Sequence, residues 1–542
     1  MSRRAKSIFT GSPAIAILIF VAASAVLAAG QVAVTTYHND NYRTGWNPNE
    51  TTLTPANVTK ASFGLQSKVT LDDQVDAQPL VVPGVMITAG QFQGTVHDVA
   101  YVATEANTVY AIDVHTGTVL LNPNFGAGVT NPLGCTNNGP KVGINSTPVI
   151  DLPSNTLYVM VYNQDKSVQN FRLHALDLGS LTDKVAPQVV SASHTLTNGT
   201  TFNFNARYQR QRAALLSANG SIYAGFASFC DFAGNLSRGW LLGWTAGTLA
   251  PFPSNQLLDQ QATNPDSFFL SSIWMSGYGL AADDSGNILF VTGNSDPNTY
   301  DGVTNLQESV VKVSPTLTTV LDVFTPSNQV ALDQGDVDFG SGGALVLPDQ
   351  PGSTPHMAVA AGKDGNMYFM NEDNLGGFSP NKNNVLGTYS IGGCWCGQSY
   401  YLDASGSGRV VSSGGNHVIL WQVQTSPKPA LALLKNSVFI SSLQEPGFFT
   451  SVSSNQTTNP VIWAVSRPQS GGKDPLFLYA FDPAAGKTSM KKLIRIRAGF
   501  WPHTGGGSNL VPTVANGQVF VASNQLLQIF GLRDANSKTK KK

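Results

Sequence analysis

The stretch VAYVATEANTVYAIDVHTG, Val99–Gly117, indicates the fold of this chain. An apolar strand ends in small residues, a short turn follows, and the next strand ends in Ala-x-Asp before a glycine. Similar patterns lie at Thr156–Gly179 and Val461–Gly486. A unit this short cannot bury its own apolar face, so its repetition at a period of several tens of residues is typical of an array. Because every unit consists of strands and turns, the sequence predicts a β-propeller.

The repeats predict eight units. Their cores are expected at Gln78–Thr118, Ser146–Gly179, Arg212–Thr248, Gly277–Pro315, Gly340–Asn374, Gly397–Val423, Gly447–Asp482 and Asn509–Leu532. The last unit lacks a fourth strand, whereas a strand without partners, Phe63–Leu71, precedes the first unit. We therefore expect an all-β, eight-bladed propeller of four-stranded antiparallel blades, closed by this N-terminal strand. Seven blades are the alternative, if the weak sixth unit is an insertion.

The composition suits one domain of short strands. The chain has 542 residues, of which 53 are Gly and 30 are Pro, while only 12% are charged. Such a mixture favours tight turns over helices with charged outer faces. The formal net charge of −1 gives no electrostatic reason to expect nucleic-acid binding. We expect a monomer.

The N-terminus resembles an export signal. Arg3, Arg4 and Lys6 precede an apolar run that ends in small residues at Ala28-Ala29-Gly30. This order is typical of a secretory signal peptide, with an uncleaved anchor as the alternative. We expect a signal peptide over residues 1–30, an extension packed on the propeller over 31–62, the propeller over 63–532 and a basic disordered tail over 533–542. The mature protein is then secreted or periplasmic, with no membrane span.

Four cysteines lie in the expected mature part. They are Cys135, Cys230, Cys394 and Cys396. An even number in an oxidising compartment predicts disulfides, and three pairings are possible. In one of them, Cys394 and Cys396 close a very small ring, and Cys135 pairs with Cys230 between neighbouring blades.

The repeat also resembles a known family. The Y-A-x-D-x-x-x-G ending and the Pro-led first strand are similar to those of the quinoprotein alcohol dehydrogenase-like propellers. The stretches YHNDNYRTGWN (Tyr37–Asn47), IWMSGYG (Ile273–Gly279), DFGSGG (Asp338–Gly343) and CWCGQSYY (Cys394–Tyr401) resemble those of uncharacterised secreted bacterial members. This family implies an eight-bladed ring. It includes dehydrogenases that hold pyrroloquinoline quinone (PQQ) and Ca²⁺ on the axis, and it also includes members without a cofactor.

The resemblance implies a set of site residues. Asn294, in Thr292-Gly293-Asn294 after an apolar strand, matches the loop that gives Ca²⁺ an amide oxygen. Asp336 or Asp338 matches the region of the catalytic Asp, although the family's Trp is absent there. Asp336 would then act as a base toward a substrate hydroxyl, and Asp338 would join Asn294 at the metal.

Three further residues are candidates for cofactor binding. Arg212 would bind a carboxylate of the quinone, and Trp274 or Trp395 would stack on its rings. The alternative for Trp395 is packing between blades. The alternative for Arg212, and for Arg207 and Arg210 beside it, is pairing with Asp231 or Asp266 to hold loops together. These alternatives remain open from the sequence.

Two features of the dehydrogenases are missing from the sequence. No two cysteines are adjacent, and the stretch Asn163–Asp177 lacks the Glu metal ligand that the family carries in its second blade. These absences favour an exported binding or scaffolding protein, which holds a protein or carbohydrate-like partner at one mouth of the ring and needs no cofactor. The second hypothesis is a PQQ- and Ca²⁺-dependent alcohol or sugar dehydrogenase that passes electrons to a separate acceptor.

Overall fold

Almost all regular structure in the chain is β-strand. The computed structural model describes residues 30–137, 139–440, 447–466, 474–502 and 510–533. The expected signal peptide, except Gly30, and the expected C-terminal tail, except Arg533, lie outside the described residues. Within the described ranges, the one α-helix spans Gln329–Gly335, and 3₁₀ turns lie at Pro132–Gly134, Met275–Gly277 and Phe339–Ser341. No helix in these ranges is both long and apolar enough to cross a membrane.

Eight small antiparallel sheets form the blades of a ring. The strands of blades 1 to 4 are, in chain order, Leu80–Met86, Val96–Ala103, Val109–Asp113, Val119–Leu121; Val149–Asp151, Thr156–Asp165, Val168–Asp177, Gln188–Val189; Leu216–Ala218, Ser221–Ser228, Trp240–Thr245, Gln256–Leu257; and Ala281–Ala282, Ile288–Val291, Val310–Val313, Val320–Thr325. Those of blades 5 to 7 are Ala344–Leu347, Met357–Ala361, Asn366–Asn371, Gly387–Ser390; Ser399–Leu402, Gly408–Ser412, Ile419–Gln424, Ala430–Asn436; and Phe449–Asn455, Thr458–Val465, Asp474–Asp482, Lys491–Trp501. The sixth unit is therefore a complete blade, and the eight-bladed prediction is confirmed.

The eighth blade joins the two ends of the propeller. The strand Thr513–Ala515 pairs with the first half of the segment Gln518–Leu532. The chain bends at Gln525, where φ is 53°, and the second half of that segment pairs antiparallel with Phe63–Gln74. The N-terminal strand thus closes the ring, as predicted, and removes an exposed sheet edge that would invite aggregation.

Each blade is buried on both faces because a neighbouring blade packs on either side. In the second strand of blade 1, Val99, Tyr101 and Ala103 pack in the cluster shared with blade 2. The alternate residues Ala100 and Val102 pack in the cluster shared with blade 8. Alternation along a strand therefore distributes apolar side chains between two interfaces, which explains why the second strands are apolar throughout.

A segment near the N-terminus, residues 34–47, passes the first strand of every blade. Its carbonyl groups accept backbone N–H groups at blades 1, 2, 4, 5, 6 and 7, and two of its Asn side chains reach blades 3 and 8. These bonds join Val81 to Val34 O (2.9 Å), Ile150 to Thr35 O (2.8 Å), Ala282 to Asn41 O (2.8 Å), Val346 to Tyr42 O (3.0 Å), Tyr400 to Thr44 O (2.8 Å), Val452 to Gly45 O (2.7 Å), Asn41 Nδ2 to Ser217 O (3.0 Å) and Asn47 Nδ2 to Val514 O (3.0 Å). The first strands are free sheet edges along the axis, so this segment satisfies groups that would otherwise lack partners.

Arg43 anchors this segment at the axis. Its side chain is fully buried, and its guanidinium donates to Leu280 O at 2.7 Å, to Thr36 Oγ1 at 2.7 Å and to Leu215 O at 3.2 Å. A buried guanidinium is tolerated only when its donors are satisfied in this way. The segment therefore fills the axis along the first strands and leaves the loops that precede those strands as the open mouth.

Candidate functional site

One cavity, which we call the mouth pocket, lies among the loops of blades 3 to 6. Its volume is about 490 Å³. Most of the residues around it either precede a first strand or follow a second strand, and those two kinds of loop lie on one face of a propeller. The lining residues are Asn137, Arg210, Arg212, Ala227, Ser228, Cys230, Asp231, Trp274, Asp336, Val337, Asp338, Lys363 and Trp395.

Two tryptophans form part of the wall. Trp274 precedes the first strand of blade 4 and Trp395 precedes that of blade 6, and both are half-buried. The disulfide between Cys394 and Cys396, whose Cα atoms are 4.8 Å apart, closes a small ring around Trp395. Trp395 thus faces the pocket, and the guanidinium carbon of Arg212 lies 5.5 Å from the centre of the Trp274 ring.

Lys363 lies at the centre of the charged groups. It follows the second strand of blade 5, and its Nζ is 2.5 Å from Asp338 Oδ2 and 3.4 Å from Asp336 Oδ1. Asp338 is almost fully buried, whereas 70% of the Asp336 side chain is exposed. Asp336 therefore presents an accessible carboxylate to the pocket, and Asp338 is held in an ion pair.

Asn294 lies directly behind these carboxylates. Its backbone N–H donates to Asp338 Oδ1 at 2.9 Å, and its side-chain Nδ2 donates to Asp336 Oδ1 at 3.3 Å. The preceding residue must be glycine, because a Cβ on Gly293 would lie 2.6 Å from Asp338 Oδ1 and 3.0 Å from Trp274 Nε1. The Thr-Gly-Asn loop is thus packed closely against the pocket.

Asp231 adds a third carboxyl to the pocket. It follows the second strand of blade 3, where Cys230 and Asp231 both have positive φ, 52° and 56°. Cys230 is bonded to Cys135, 95 residues earlier in the chain. Burial and the negative charge of Asp338 raise the pKa of Asp231 to about 6. At a pH near 6 this carboxyl is therefore partly protonated and partly ionised.

The three candidate arginines have different positions. Arg212 lines the pocket, as does Arg210, whose Nε donates to Asn145 Oδ1 at 2.8 Å. Asn145 in turn donates to Glu105 Oε1 at 2.5 Å. Arg207 is exposed on the surface. The alternative of an ion pair to Asp231 or Asp266 is not seen for Arg207 or Arg210 in the described part of the chain.

Two further carboxyls lie behind the pocket wall. Glu308 Oε2 accepts the N–H of Phe339 at 2.5 Å, and its Oε1 makes no hydrogen bond within the described residues. Burial raises the pKa of Glu308 well above its ordinary value and raises that of Asp333 to about 7. Burial thus disfavours the negatively charged form of Glu308 behind the pocket wall.

Most of the candidates named from the sequence lie together. Arg212, Trp274, Asp336, Asp338 and Trp395 line one cavity, and Asn294 contacts two of them. The roles assigned to them are not tested by these positions.

The sequence analysis named Asp231 only as a possible partner of the arginines and did not place it at a pocket. Asn163–Asp177 belongs to the central hairpin of blade 2 and contributes no residue to the mouth pocket. The carboxyl and the disulfide at the pocket wall both come from the loop of blade 3. The signal in the sequence is Cys230-Asp231 directly after a strand, a position equivalent to that of Asn294 in blade 4.

Comparisons with known proteins agree with this architecture. No protein-family model matches the sequence, and no curated protein gives a significant match. The solved quinohemoprotein alcohol dehydrogenase from Comamonas testosteroni superimposes with a TM-score of 0.59 at 13% identity, covering 94% of this chain and 82% of that one. A europium-containing methanol dehydrogenase gives 0.57 at 10% identity, covering 93% and 98%. Quinohemoprotein alcohol dehydrogenase ADHIIG from Pseudomonas putida HK5 gives 0.55 at 13% identity, covering 92% and 80%.

This chain has the propeller fold of the quinoprotein alcohol dehydrogenases. Identity this low shows the fold alone, so the function has to be argued from the pocket. The resemblance raises one question about that pocket, which is whether its residues suit the quinone and the Ca²⁺ ion that such dehydrogenases hold.

The pocket suits a planar quinone better than it suits Ca²⁺. It offers two indole rings and two cationic side chains, Arg212 and Lys363, to a flat ligand that carries carboxylates. Ca²⁺ takes six to eight oxygen ligands. No group of three or more His, Cys, Asp or Glu side chains in the described ranges is arranged to hold a metal ion, and Lys363 already lies against Asp336 and Asp338. As arranged, these residues do not fit Ca²⁺.

Proposed function

We propose that this protein is an oxidoreductase that holds a planar quinone of the PQQ type in the mouth pocket and oxidises an alcohol or sugar hydroxyl there. The observation that carries the proposal is the convergence of Arg212, Trp274, Asp336 and Trp395 on one cavity, with Asn294 behind it. These residues come from four different blades, and a purely structural role does not require them to meet around open space.

Recognition of the quinone is assigned to the aromatic and cationic side chains. The Trp274 indole is assigned to stacking on the quinone, and the guanidinium of Arg212, 5.5 Å from the centre of that ring, is assigned to one of its carboxylates. Trp395 stands at another part of the wall. A bound quinone supplies the two-electron acceptor, which a separate protein or dye reoxidises.

Asp336 is assigned as the base. Its side chain is exposed to the pocket, and partial desolvation by the surrounding loops together with repulsion by Asp338 raises its pKa, although Lys363 opposes this shift. A carboxylate of raised pKa is a better proton acceptor at neutral pH. With the quinone as acceptor of the hydride from the substrate carbon, Asp336 would take the proton of the substrate hydroxyl, and the alcohol would become a carbonyl compound.

Calorimetric titration of the purified protein with PQQ, with and without added Ca²⁺, tests the binding step. We expect one-to-one binding that weakens at least tenfold in Trp274→Ala, because the stacking face is lost. Arg207→Ala is the control, since this arginine is exposed and does not line the mouth pocket, and it should leave the affinity unchanged. Absence of heat in both conditions would refute the proposal.

Oxidation of a panel of alcohols and aldoses, followed with a dye acceptor, tests the chemical step. Loss of a general base typically costs 10²- to 10⁴-fold in rate, so Asp336→Asn should lower kcat by at least about 100-fold and leave PQQ affinity largely unchanged. Equal activity of Asp336→Asn and wild type would contradict the role given to Asp336.

A carbohydrate-binding protein without catalysis is the second candidate. It is favoured by the mixture of two half-exposed indoles with carboxylates, amides and cations of balanced charge around the mouth pocket, because sugars are held by ring stacking and by many polar groups. Heat on titration with oligosaccharides, together with none on titration with PQQ, would establish this candidate and exclude the first.

We further propose that the protein works outside the cytoplasm, as a mature monomer from Gln31. The two disulfides support this location because they persist in oxidising compartments. The intact mass of the exported protein should correspond to a chain that starts near Gln31 and contains no free thiol. A full-length mass would contradict cleavage.

A further inference from the structure

We propose that the side-chain ammonium of Lys363 is the fixed cation of the mouth pocket, in the position where a metal ion would otherwise be held, so that the pocket binds its ligand without a metal. The identity of that ligand rests on the function proposed above. The position of the cation does not, and it can be tested on the protein alone.

The first argument is that the ammonium has a full set of oxygen partners. Lys363 Nζ donates to Asp336 O at 2.9 Å and contacts Asp338 Oδ2 at 2.5 Å and Asp336 Oδ1 at 3.4 Å. An ammonium group has three N–H donors, and three oxygens from one short loop surround it. A carboxylate pair and a backbone carbonyl are also the ligands that a hard divalent cation prefers.

The second argument is that these oxygens are held in place by Asn294. Its backbone N–H donates to Asp338 Oδ1 and its side-chain Nδ2 donates to Asp336 Oδ1. The loop that in the dehydrogenases is expected to offer an amide oxygen to Ca²⁺ here offers N–H groups to the two carboxylates. The donor set is therefore organised around two carboxylates whose negative charge Lys363 already compensates in part.

The third argument is that the cation is confined by two aromatic faces. Lys363 Nζ lies 5.5 Å from the centre of the Trp274 ring and 5.6 Å from that of Trp395, distances at which the face of an indole attracts a cation. Burial alone would lower the pKa of Lys363, but the carboxylates of Asp338 and Asp336 raise it above its ordinary value. The side chain is thus charged throughout the physiological range, and a metal ion at the same carboxylates would be repelled by it.

Terbium luminescence, excited through tryptophan, measures metal binding at this position because Trp274 and Trp395 are adjacent to it. We expect no saturable Tb³⁺ emission from the wild-type protein and a saturable signal from Lys363→Gln, in which two carboxylates are left without a counter-charge. The signal should compete with Ca²⁺ and disappear in the double variant Lys363→Gln, Asp338→Asn. Lys363→Arg keeps the charge and should behave as wild type, and circular dichroism checks that each variant is folded.

Two outcomes would overturn the inference. Saturable Tb³⁺ emission from the wild type that is lost in Asp338→Asn would show that a metal shares the carboxylates with Lys363. Absence of emission from both the wild type and Lys363→Gln would show that these oxygens do not form a cation position at all.

The PQQ titration separates this inference from the proposed function. Binding of PQQ that is equal with Ca²⁺ and with EDTA supports both, whereas binding that requires Ca²⁺ overturns the inference and leaves the proposed function standing. The expected terbium pattern together with no PQQ binding would leave Lys363 as the fixed cation of a pocket for another ligand.

Discussion

Single side chains in the mouth pocket have properties set by burial and by neighbouring charge. Asp231 and Asp338 are both carboxyls at one cavity, yet Asp338 is ion-paired to Lys363 while burial and Asp338 raise the pKa of Asp231 to about 6. A carboxyl with a pKa of about 6 can exchange a proton with a ligand close to neutral pH. This difference is a property of position, since the residue type is the same.

Asp231→Asn should change how stability depends on pH. A free Asp has a pKa near 3.9, so between about pH 4 and pH 6 the folded protein keeps a proton that the unfolded chain has lost. The free energy of unfolding therefore falls as the pH rises through this window, by up to about 3 kcal/mol for one group. In Asp231→Asn the free energy of unfolding should not decrease in this way, so the variant should be more stable than the wild type at pH 7.

Denaturation midpoints at several pH values between 4 and 7 measure this effect. Asp266→Asn, at an exposed position on a neighbouring loop, is the matched control and should follow the wild-type curve. If the stability of Asp231→Asn changed with pH in the same way as that of the wild type, the pKa of Asp231 would not be raised in the folded protein.

At the scale of elements, the N-terminal strand Phe63–Gln74 closes the ring. A β-bulge between Leu65 and Ser67 interrupts the alternation of this strand. Val69, after the bulge, is buried with 5% exposure and packs in the cluster shared by blades 8 and 1, whereas Leu65 is 48% exposed. The same substitution at these two positions should therefore have different effects.

Val69→Asp should destabilise the propeller strongly and Leu65→Asp should not. Burying an unpaired carboxylate costs several kcal/mol, so we expect Val69→Asp to lower the free energy of unfolding by at least about 3 kcal/mol and to promote aggregation. The thermal transition and the soluble yield of the two variants provide the measurement. Equal behaviour of the two would mean that this strand does not close the ring.

The sequence predicts this element well because its signal is local. The alternation in Phe63–Leu71 predicts a strand, and the missing fourth strand of the last unit predicts its partner. The helix Gln329–Gly335 was not predicted, since seven residues carry too little periodicity to be recognised. The path of residues 34–47 was also unpredictable, because its bonds to eight separate first strands depend on contacts far apart in the sequence.

In the candidate site, too, local sequence patterns are easier to predict than contacts between residues far apart in the sequence. Asn294 and Asp336 were named from the resemblance of two loops to those of the family, and the fold brings these residues, 42 positions apart, into contact. The pocket position of Asp231 was not predicted, because it depends on the fold of the loop after the second strand of blade 3, where Cys230 has a left-handed backbone and is bonded to Cys135, 95 residues earlier in the chain.

At the scale of the whole molecule, the residues that the structure describes leave the ring open at the mouth pocket. The segment with Arg43 fills the axis along the first strands, and both disulfides lie at the opposite side, beside pocket residues. A closed ring with one filled end is a rigid support for loops that must hold a ligand in a fixed geometry. The central claim is therefore that the loops of blades 3 to 6 form a single quinone pocket.

A crystal structure of the mature protein grown with PQQ tests this claim most directly. We predict ring-shaped density on the indole face of Trp274, with a carboxylate of the ligand at Arg212 and Lys363 still bonded to Asp338. Density for PQQ elsewhere on the ring, or a mouth pocket without PQQ in crystals grown at saturating concentration, would contradict the account.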